Sequence, residues 1–191
     1  MTKASTWTAL GNAGFRRLWL ANLISGAAVA AHGTAAFWVL SSLGKSDSTL
    51  LLSLMATLSS LPFSLFTLPA GAIADLVDRK RMLCGVNIWQ AAIAIGLAVL
   101  GVMHLLSPYI VLASAFLFGV GFAFGSPASS AVIAEMVPAK DLPGANILGG
   151  LQMNISGIIG PALGGILIPL IGPNSIFAFN GMAFLLSLIH I

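Results

Sequence analysis

The residues of this sequence that could do chemistry are concentrated in one stretch, residues 71–83, which reads Gly-Ala-Ile-Ala-Asp-Leu-Val-Asp-Arg-Lys-Arg-Met-Leu. Its cations can pair with its carboxylates and with anionic lipid headgroups. A carboxylate at the start of a helix is also stabilised by the helix dipole. The alternative is a plain anchor that sets membrane orientation and makes only local ion pairs. The charged residues concerned are Asp75, Asp78, Arg79, Lys80 and Arg81.

Outside this stretch, the candidates are uncharged polar side chains within apolar segments. His32 could carry a proton near neutral pH or contact a ligand. The alternative for His32 is a neutral ring that is hydrogen-bonded to a neighbouring helix. Amides in a bilayer usually bond across helices, and a contact with substrate is the second possibility for each of them. The amides that could line a cavity are Asn22, Asn87, Gln90, Gln152, Asn154 and Asn180.

Several kinds of chemistry have no matching residues in the sequence. There is no HExxH pair, no paired carboxylate within an apolar segment and no nucleophile with an evident base. The phosphate-binding pattern of an ATP motor is also missing. Cys84 is the only cysteine, which excludes an internal disulfide and a cysteine-based metal cluster. We therefore predict no enzymatic activity, no cofactor and no metal site.

The composition indicates a chain built for a bilayer. Only 7% of its residues are charged and 58% are hydrophobic, whereas soluble domains carry about 25% charged residues. The mean hydropathy is +1.03. A soluble core of this size could not bury so much apolar surface. The basic residues flank apolar segments, so we expect a lipid bilayer as the partner and no nucleic acid.

The apolar segments predict an all-α integral membrane protein. A spanning helix needs about 20 apolar residues, and the sequence has five segments of that length and a shorter sixth. We therefore expect a six-helix bundle over residues 18–191, preceded by a cytoplasmic segment, residues 1–17. The predicted spans are residues 18–43, 50–74, 82–106, 109–133, 147–171 and 175–191.

The basic residues also predict the orientation of these spans. If the N-terminus is cytoplasmic, Lys45 is the one basic residue in a loop on the opposite side. Short cytoplasmic loops carry an excess of Lys and Arg, so we predict a cytoplasmic N-terminus. The basic residues then on the cytoplasmic side are Lys3, Arg16, Arg17, Arg79, Lys80, Arg81 and Lys140.

Two motifs in these segments resemble signatures of the major facilitator superfamily. The pattern Gly-x-x-x-Asp-x-x-x-Arg-Lys/Arg between the second and third spans resembles its cytoplasmic loop signature. The pattern Gly-Pro-x-x-Gly-Gly in the fifth span, preceded by Gly157, resembles a signature that is prominent in its exporters. The matching positions are Gly71, Asp75, Arg79 and Lys80 in the loop, and Gly160, Pro161, Gly164 and Gly165 in the fifth span.

Three further segments narrow the resemblance to one bacterial branch, the transmembrane secretion effectors and enterobactin-exporter-like proteins. They are residues 12–22, residues 68–75 and residues 135–143. The likeness extends from about residue 10 to the end of the chain, which is half of the twelve-helix architecture usual in the family. The resemblance implies the N-terminal six-helix bundle of a major facilitator fold in the bacterial cytoplasmic (inner) membrane.

The resemblance also implies roles for the motif residues. In the family the loop signature steadies the outward-open state, which makes Asp75 and Arg79 the gating candidates and Gly71 a site of close packing. Asp78 stands where the wider superfamily often has Gly. The fifth-span glycines and proline would allow bending and close packing between the two halves of a transporter. Helix packing without a role in gating is the alternative for that motif.

These observations lead to two hypotheses on function. The first is a secondary exporter of small amphipathic or siderophore-like molecules, driven by an ion gradient and present as an N-terminal half that works with a C-terminal half or a second copy. The second is a non-transporting membrane scaffold or fragment. It is favoured by Ala115, which stands where many proton antiporters have Arg. Efflux that depends on a proton gradient would discriminate between them.

Overall fold

The computed structural model of the chain describes residues 6–44 and 48–188. These residues form helices joined by short turns, and no strand occurs among them. A 3-10 helix at Thr6–Gly11 comes first. It is followed by α1 (Ala13–Gly44), α2 (Ser48–Leu76), α3 (Arg79–Val102), α4 (Pro108–Met136), α5 (Leu142–Ile171) and α6 (Pro173–Leu188). The predicted all-α fold, with five long helices and a shorter sixth, is therefore confirmed.

Helices α1 to α5 are long and apolar enough to cross a membrane, and α6 is a shorter apolar helix of 16 residues. Mid-helix prolines interrupt this pattern little, because neighbouring helices in a bundle can satisfy the backbone groups that a proline frees. Pro62 and Pro69 lie inside α2, Pro127 inside α4, and Pro161 and Pro169 inside α5.

The helices and the predicted spans differ in their ends. α1 begins at Ala13, before the predicted span, so the residues predicted as an N-terminal segment contain the 3-10 helix and the start of α1. α5 begins at Leu142 rather than at residue 147. α3 ends at Val102, so the last four residues of the predicted span 82–106 lie outside it. The chain turns there, and His104 adopts a φ of 58°.

Local sequence explains where several helices start and stop. The side chain of Asp78 accepts a hydrogen bond from the backbone N–H of Arg81 and caps the start of α3. Ser107 caps α4 in the same way, and Pro108 occupies its first turn, where no backbone N–H is required. Gly172 follows α5 with a φ of 78°, which a residue with a side chain rarely adopts.

The helices pack in pairs: α2 on α4, α1 on α5, and α3 on α6, with α3 on α4 and α1 on α6 joining the pairs. Glycines allow this close approach. A Cβ atom at Gly119 would lie 2.5 Å from the carbonyl oxygen of Ser59, and one at Gly160 would lie 2.5 Å from that of Ala27. Small residues that let backbones approach are the usual basis of helix association in membranes.

The core of the bundle lies around α1, α3, α4 and α6, and its largest fully buried side chains include Phe177, Leu40 and Val111. A second, smaller cluster at one end joins the 3-10 helix to α4 and α5 through Ala9, Phe15, Val137, Ala145 and Leu148. Many large apolar side chains on the outer helix faces are exposed. In a membrane-spanning bundle these faces meet lipid or another bundle.

Candidate functional site

All charged residues in the described part of the chain lie at one end of the bundle, which we call the charged end. It consists of the start of α1, the α2–α3 loop and the α4–α5 loop. Contacts across the loops hold these segments together. The residues are Arg16, Arg17, Asp75, Asp78, Arg79, Lys80, Arg81, Glu135, Lys140 and Asp141.

An ion pair joins the α2–α3 loop to α4. Arg79, the first residue of α3, donates through Nη1 to Oε1 of Glu135, one residue before the end of α4. The two side chains are 35% and 64% exposed, respectively. Arg79 therefore pairs with a distant residue rather than with the nearby Asp75 or Asp78, as the local pattern suggested. Glu135 is the partner that the sequence alone did not identify.

A cleft of about 480 Å³ lies beside this ion pair. Its lining combines the charged residues of the loop with apolar side chains of α1, α3 and α4. The arrangement places a fixed ion pair at the mouth of a cleft between helix ends, where a change in the relative position of α3 and α4 would break the pair. The lining residues are Leu18, Val77, Asp78, Arg79, Lys80, Leu83, Val132, Glu135 and Met136.

The structure separates the two carboxylates of the loop. Oδ1 of Asp78 lies 2.9 Å from the backbone nitrogen of Arg81, so Asp78 is engaged in capping α3. Asp75 is exposed, and no described residue forms a hydrogen bond or ion pair with it. Gly71, one turn earlier, has no described atom within 4 Å of the position that a Cβ would occupy. Asp75 and Gly71 therefore face away from this bundle.

The start of the chain is docked on the charged end. Nδ2 of Asn12 donates to the carbonyl oxygen of Met136 at 2.8 Å, and its Oδ1 accepts from the backbone of Gly14. Nε1 of Trp19 donates to the carbonyl oxygen of Leu148 at 2.8 Å. These contacts tie the start of α1 to the α4–α5 loop. Sequence reasoning missed this docking, because nothing in a single sequence pairs residues that are more than 120 positions apart.

The motif in α5 has two faces. Gly160 and Gly164 are buried against α1, where Cβ atoms would meet the backbone of Ala27 and Ala31. The other motif members, Gly157, Pro161 and Gly165, are exposed on the adjoining face of the helix, about 60–100° around its axis. No described atom lies within 4 Å of a Cβ at either exposed glycine. One half of the motif therefore packs α5 on α1, and the other half leaves a smooth uncovered surface.

A stripe of hydroxyl groups on α2, which sequence reasoning also missed, leads to the charged loop. Its members follow one another at spacings of three and four residues, which places them on one face of the helix. The first four are exposed and the last is half-buried. Gly71 and Asp75 continue the same stripe, and exposed leucines such as Leu54, Leu61 and Leu65 lie beside it. The hydroxyl stripe consists of Ser53, Thr57, Ser60, Ser64 and Thr67.

Of the six amides predicted to line a cavity, all but Asn154 are buried or half-buried. Gln152 donates to the carbonyl oxygen of Asn22 at 2.9 Å and so links α5 to α1. Gln90 is buried between α3 and α4 against Gly121. Asn154 is the exposed exception, on α5, and its Nδ2 donates to the carbonyl oxygen of Gly150 in its own helix.

His32 lies in the core rather than on an open wall. Its ring is 6% exposed and packs between Phe118 of α4 and Phe177 of α6, with ring centroids 4.6 and 4.7 Å away. Its Nδ1 has no hydrogen-bond partner among the described residues. The helix-to-helix hydrogen bond considered for His32 is therefore not formed at this nitrogen, and two aromatic rings enclose the imidazole instead.

Comparison with known proteins identifies the family. The profile of one family, described as transmembrane secretion effector, matches residues 4–191. The chain belongs to this family of the major facilitator superfamily. The resemblance seen in the loop and in α5 is thereby confirmed, and the family to which the chain belongs consists of transporters and not of enzymes. No solved structure is significantly similar to the chain.

Two curated relatives of the chain are efflux proteins. Macrolide efflux protein A of Streptococcus pyogenes is 29% identical over 136 residues, which are 71% of this chain and 34% of that protein. Macrolide efflux protein A of Enterococcus faecalis is 29% identical over 126 residues, or 66% of this chain and 39% of that protein. The match thus spans little more than a third of these relatives. The chain is a multi-pass membrane protein of an exporter family.

Proposed function

We propose that this chain forms the N-terminal six-helix bundle of a secondary exporter of small amphipathic molecules. The proposal rests on the faces of α2 and α5 that no other described helix covers. Each of these membrane helices presents polar or small residues that give little favourable contact with lipid tails. Such faces suit either a second bundle or a water-filled path. In transporters built from two related halves, the substrate site lies between the halves near the middle of the membrane.

The loop between α2 and α3 is the proposed gate. Arg79 is held to α4 by Glu135, whereas Asp75 and Gly71 point away from the bundle. A second bundle that packs along the hydroxyl stripe of α2 would meet Gly71 and Asp75 at the end of that stripe. Movement of the second bundle would then make or break the contact with Asp75. The ion pair between Arg79 and Glu135 would keep the loop itself in place.

The substrate class is inferred from relatives and from the apolar character of the chain. Two relatives are named for macrolide efflux, and macrolides are one example of small amphipathic molecules. Siderophore-like molecules, which the resemblance also suggests, belong to the same broad class. The driving force would be an ion gradient, which fits a member of the major facilitator superfamily.

We place the chain in a bacterial cytoplasmic membrane with its charged end in the cytoplasm. Six of the eight basic residues lie at that end within the described part of the chain. An excess of Lys and Arg in short loops marks the cytoplasmic side. This orientation would expose the gating loop to the cytoplasm, where an exporter takes up its substrate.

The decisive experiment is an efflux assay in a bacterial strain that lacks its major drug exporters. The chain would be expressed alone and together with the C-terminal six helices of a macrolide efflux relative as a separate polypeptide. We expect reduced accumulation of a fluorescent amphipathic dye only when both are present, and loss of the effect when a protonophore collapses the gradient. Asp75→Asn in the same pair should impair efflux with unchanged amounts of protein in the membrane.

Two outcomes would contradict the proposal. Efflux that persists after the gradient is collapsed would exclude a secondary transporter. A chain that inserts, co-purifies with the second bundle and never lowers dye accumulation would be a non-transporting scaffold. Lys140→Gln, in the α4–α5 loop, provides a matched comparison for Asp75→Asn, because it removes one exposed charge at the charged end outside the α2–α3 loop.

A further inference from the structure

A shallow groove with a volume of about 590 Å³ lies on the exposed side of α3 and starts at the charged end. We call it the α3 groove. It is not part of the α2 and α5 faces that are proposed to meet a second bundle. Two of its residues, Asp78 and Lys80, also line the cleft beside the ion pair. The residues that line the α3 groove are Asp78, Lys80, Arg81, Cys84, Gly85 and Ile88.

The end of the α3 groove at the helix start carries a net positive charge. Lys80 and Arg81 are exposed in the first turn of α3, and neither forms an ion pair with a described carboxylate. The third cation of the loop, Arg79, is engaged by Glu135. Asp78 is the acid in the lining, and its Oδ1 accepts a hydrogen bond from the backbone N–H of Arg81. Two side-chain cations therefore stand against one carboxylate that already caps the helix.

Beyond the cations, the floor of the α3 groove is apolar. Gly85 and Ile88 follow Arg81 at spacings of four and seven residues, which places all three on one face of the helix. Gly85 and Ile88 are exposed, and no described atom lies within 4 Å of the position that a Cβ of Gly85 would occupy. The missing side chain of Gly85 therefore leaves a depression between the two cations and Ile88.

The two parts of the α3 groove lie at the depths of the two parts of a phospholipid. α3 has 24 residues and is about 36 Å long, whereas the hydrocarbon core of a bilayer measures about 30 Å. The cations in the first turn therefore lie at the level of the headgroups. Gly85 and Ile88 lie about 9 and 14 Å from the start of the helix, at the level of the acyl chains.

We propose that the α3 groove binds an anionic phospholipid, with its phosphate at Lys80 and Arg81 and the start of an acyl chain against Gly85 and Ile88. Guanidinium and ammonium groups both bind phosphate, and a guanidinium can do so through two hydrogen bonds. The net positive charge favours an anionic headgroup over a zwitterionic one, which would bring a cation of its own. A soluble anion would leave the apolar floor uncovered.

The bound lipid would hold the start of α3 from the side of the bilayer, whereas the ion pair holds it from the side of α4. Arg79 and its two neighbours in sequence would then have different partners, although all three carry the same charge. Binding of the lipid requires only this bundle, so the inference holds whether or not the chain takes part in transport.

Native mass spectrometry of the full chain in detergent tests the proposal. Dioleoyl phosphatidylglycerol and dioleoyl phosphatidylcholine would be titrated separately, because they share acyl chains and a phosphate and differ in the net charge of the headgroup. A basic residue near anionic lipid strengthens binding by about fivefold. We expect the first phosphatidylglycerol to bind about fivefold or more tightly than the first phosphatidylcholine.

Substitutions test the two parts of the α3 groove separately. Lys80→Gln and Arg81→Gln should each weaken phosphatidylglycerol binding by about fivefold and leave phosphatidylcholine binding nearly unchanged. Lys140→Gln is the matched control, because Lys140 is an equally exposed cation at the charged end that does not line the groove. Gly85→Leu should weaken both lipids, because it fills the floor, whereas Gly150→Leu, at an exposed glycine of α5, should weaken neither.

Three results would overturn the proposal. The first is equal affinity of the unmodified chain for the two lipids. The second is an equal loss of phosphatidylglycerol binding in Lys140→Gln and Arg81→Gln, which would mean a general attraction to the charged end. The third is displacement of phosphatidylglycerol by an excess of soluble glycerol 3-phosphate, which would mean an anion site that does not use the acyl chain. A failed efflux assay is a separate result, since none of these measurements involves transport.

Discussion

At the scale of single residues, the ion pair between Arg79 and Glu135 is the contact that holds the proposed gate to α4. Both side chains are partly exposed, and such pairs contribute about 0.2–1 kcal/mol to stability. The ion pair would therefore matter because it fixes the position of the loop relative to α4, and not because it adds much to the stability of the fold. A contact this weak can open during a conformational cycle, which suits a loop that must move or release its partner.

Replacing Glu135 by Gln tests this distinction. We expect the thermal midpoint in detergent to change little, because the lost interaction is worth less than about 1 kcal/mol. When the chain is expressed together with the separate C-terminal helices, we expect a larger loss of efflux, because the loop is no longer tied to α4. The exchanged pair Arg79→Glu with Glu135→Arg should recover part of the efflux, and Lys140→Gln serves as the control. A strong drop in thermal stability for Glu135→Gln would contradict a mainly positional role.

Asp78 should behave differently from Asp75, although both carboxylates belong to the same loop. Asp78 caps α3, and removal of such a cap costs about 0.5–2 kcal/mol. Asp78→Ala should therefore lower the thermal midpoint, and Asp78→Ser should restore much of it. Asp75→Asn, which removes no described hydrogen bond, should leave the midpoint unchanged. Equal losses at both positions would show that the two residues share one role.

The sequence indicated which residues matter in the loop but not their partners. The concentration of charged residues in residues 71–83 is evident from the sequence. The pairing of Arg79 with Glu135 depends on how α3 and α4 lie side by side, which a single sequence does not encode in its spacing. For the same reason His32 looked like a candidate for a cavity wall, whereas its position between two phenylalanine rings places it in the core.

At the scale of the helices, the two faces of α5 predict opposite effects for one kind of substitution. Gly160→Ala would place a Cβ 2.5 Å from the carbonyl oxygen of Ala27, and such overpacking costs about 1–3 kcal/mol. Gly157→Ala meets no described atom and should stabilise the helix by up to about 1 kcal/mol. Thermal unfolding in detergent measures both changes. A loss of stability at Gly157 alone would contradict the assignment of faces.

In the efflux assay we expect Gly157→Ala to be harmful, although the same substitution should stabilise the isolated chain. If the exposed face of α5 packs against a second bundle, the added methyl group of Gly157→Ala separates the two surfaces. We then expect lower efflux from a chain that is at least as stable as the native one. The same substitution at Gly33, where no described atom lies within 4 Å of a Cβ and which lies on α1 outside the motif, provides the control.

The hydroxyl stripe on α2 predicts a difference in water access between neighbouring positions. Ser60→Cys lies on the stripe and Leu61→Cys lies beside it on the exposed leucine face. The variants would carry Cys84→Ala and be expressed together with the separate C-terminal helices. A water-soluble maleimide should then react at position 60 and not at position 61. No reaction at position 60 would mean that the stripe does not border a water-filled path, and equal reaction at both positions would mean that the stripe is no more accessible to water than the leucine face.

Hydropathy predicted the six helices well because burial in lipid requires long uninterrupted apolar segments. It failed at the end of α3, where apolar residues continue through Met103, Leu105 and Leu106 although the helix has ended. There the backbone turn at His104 decides the structure, and its left-handed conformation leaves no trace in an apolar pattern. α1 and α5 begin before the predicted spans 18–43 and 147–171. The first turn of α1 contains the basic Arg16, and that of α5 contains Pro143 and Gly144, which lower the apparent helix propensity although proline is tolerated in a first turn.

At the scale of the whole molecule, the charged end is one connected assembly. The 3-10 helix, the start of α1 and both loops meet there through hydrogen bonds and a small apolar cluster. Removal of the indole donor in Trp19→Phe would leave the carbonyl oxygen of Leu148 without this partner. The opposite end shows no comparable set of charges among the described residues. Among the described residues, charge is therefore concentrated at one end of the bundle. The proposed orientation in the membrane rests on this asymmetry.

Cysteine labelling in intact cells tests this orientation. In a Cys84→Ala background, Leu105→Cys marks the α3–α4 turn and Ala139→Cys marks the charged end, and both positions are exposed. We expect a membrane-impermeant maleimide to label position 105 in intact cells and position 139 only after permeabilisation, because Lys and Arg are retained on the cytoplasmic side. Labelling in the reverse order would invert the chain in the membrane. The α2–α3 loop would then face the outside, where an exporter releases its substrate, and the gating proposal for Asp75 would have to be abandoned.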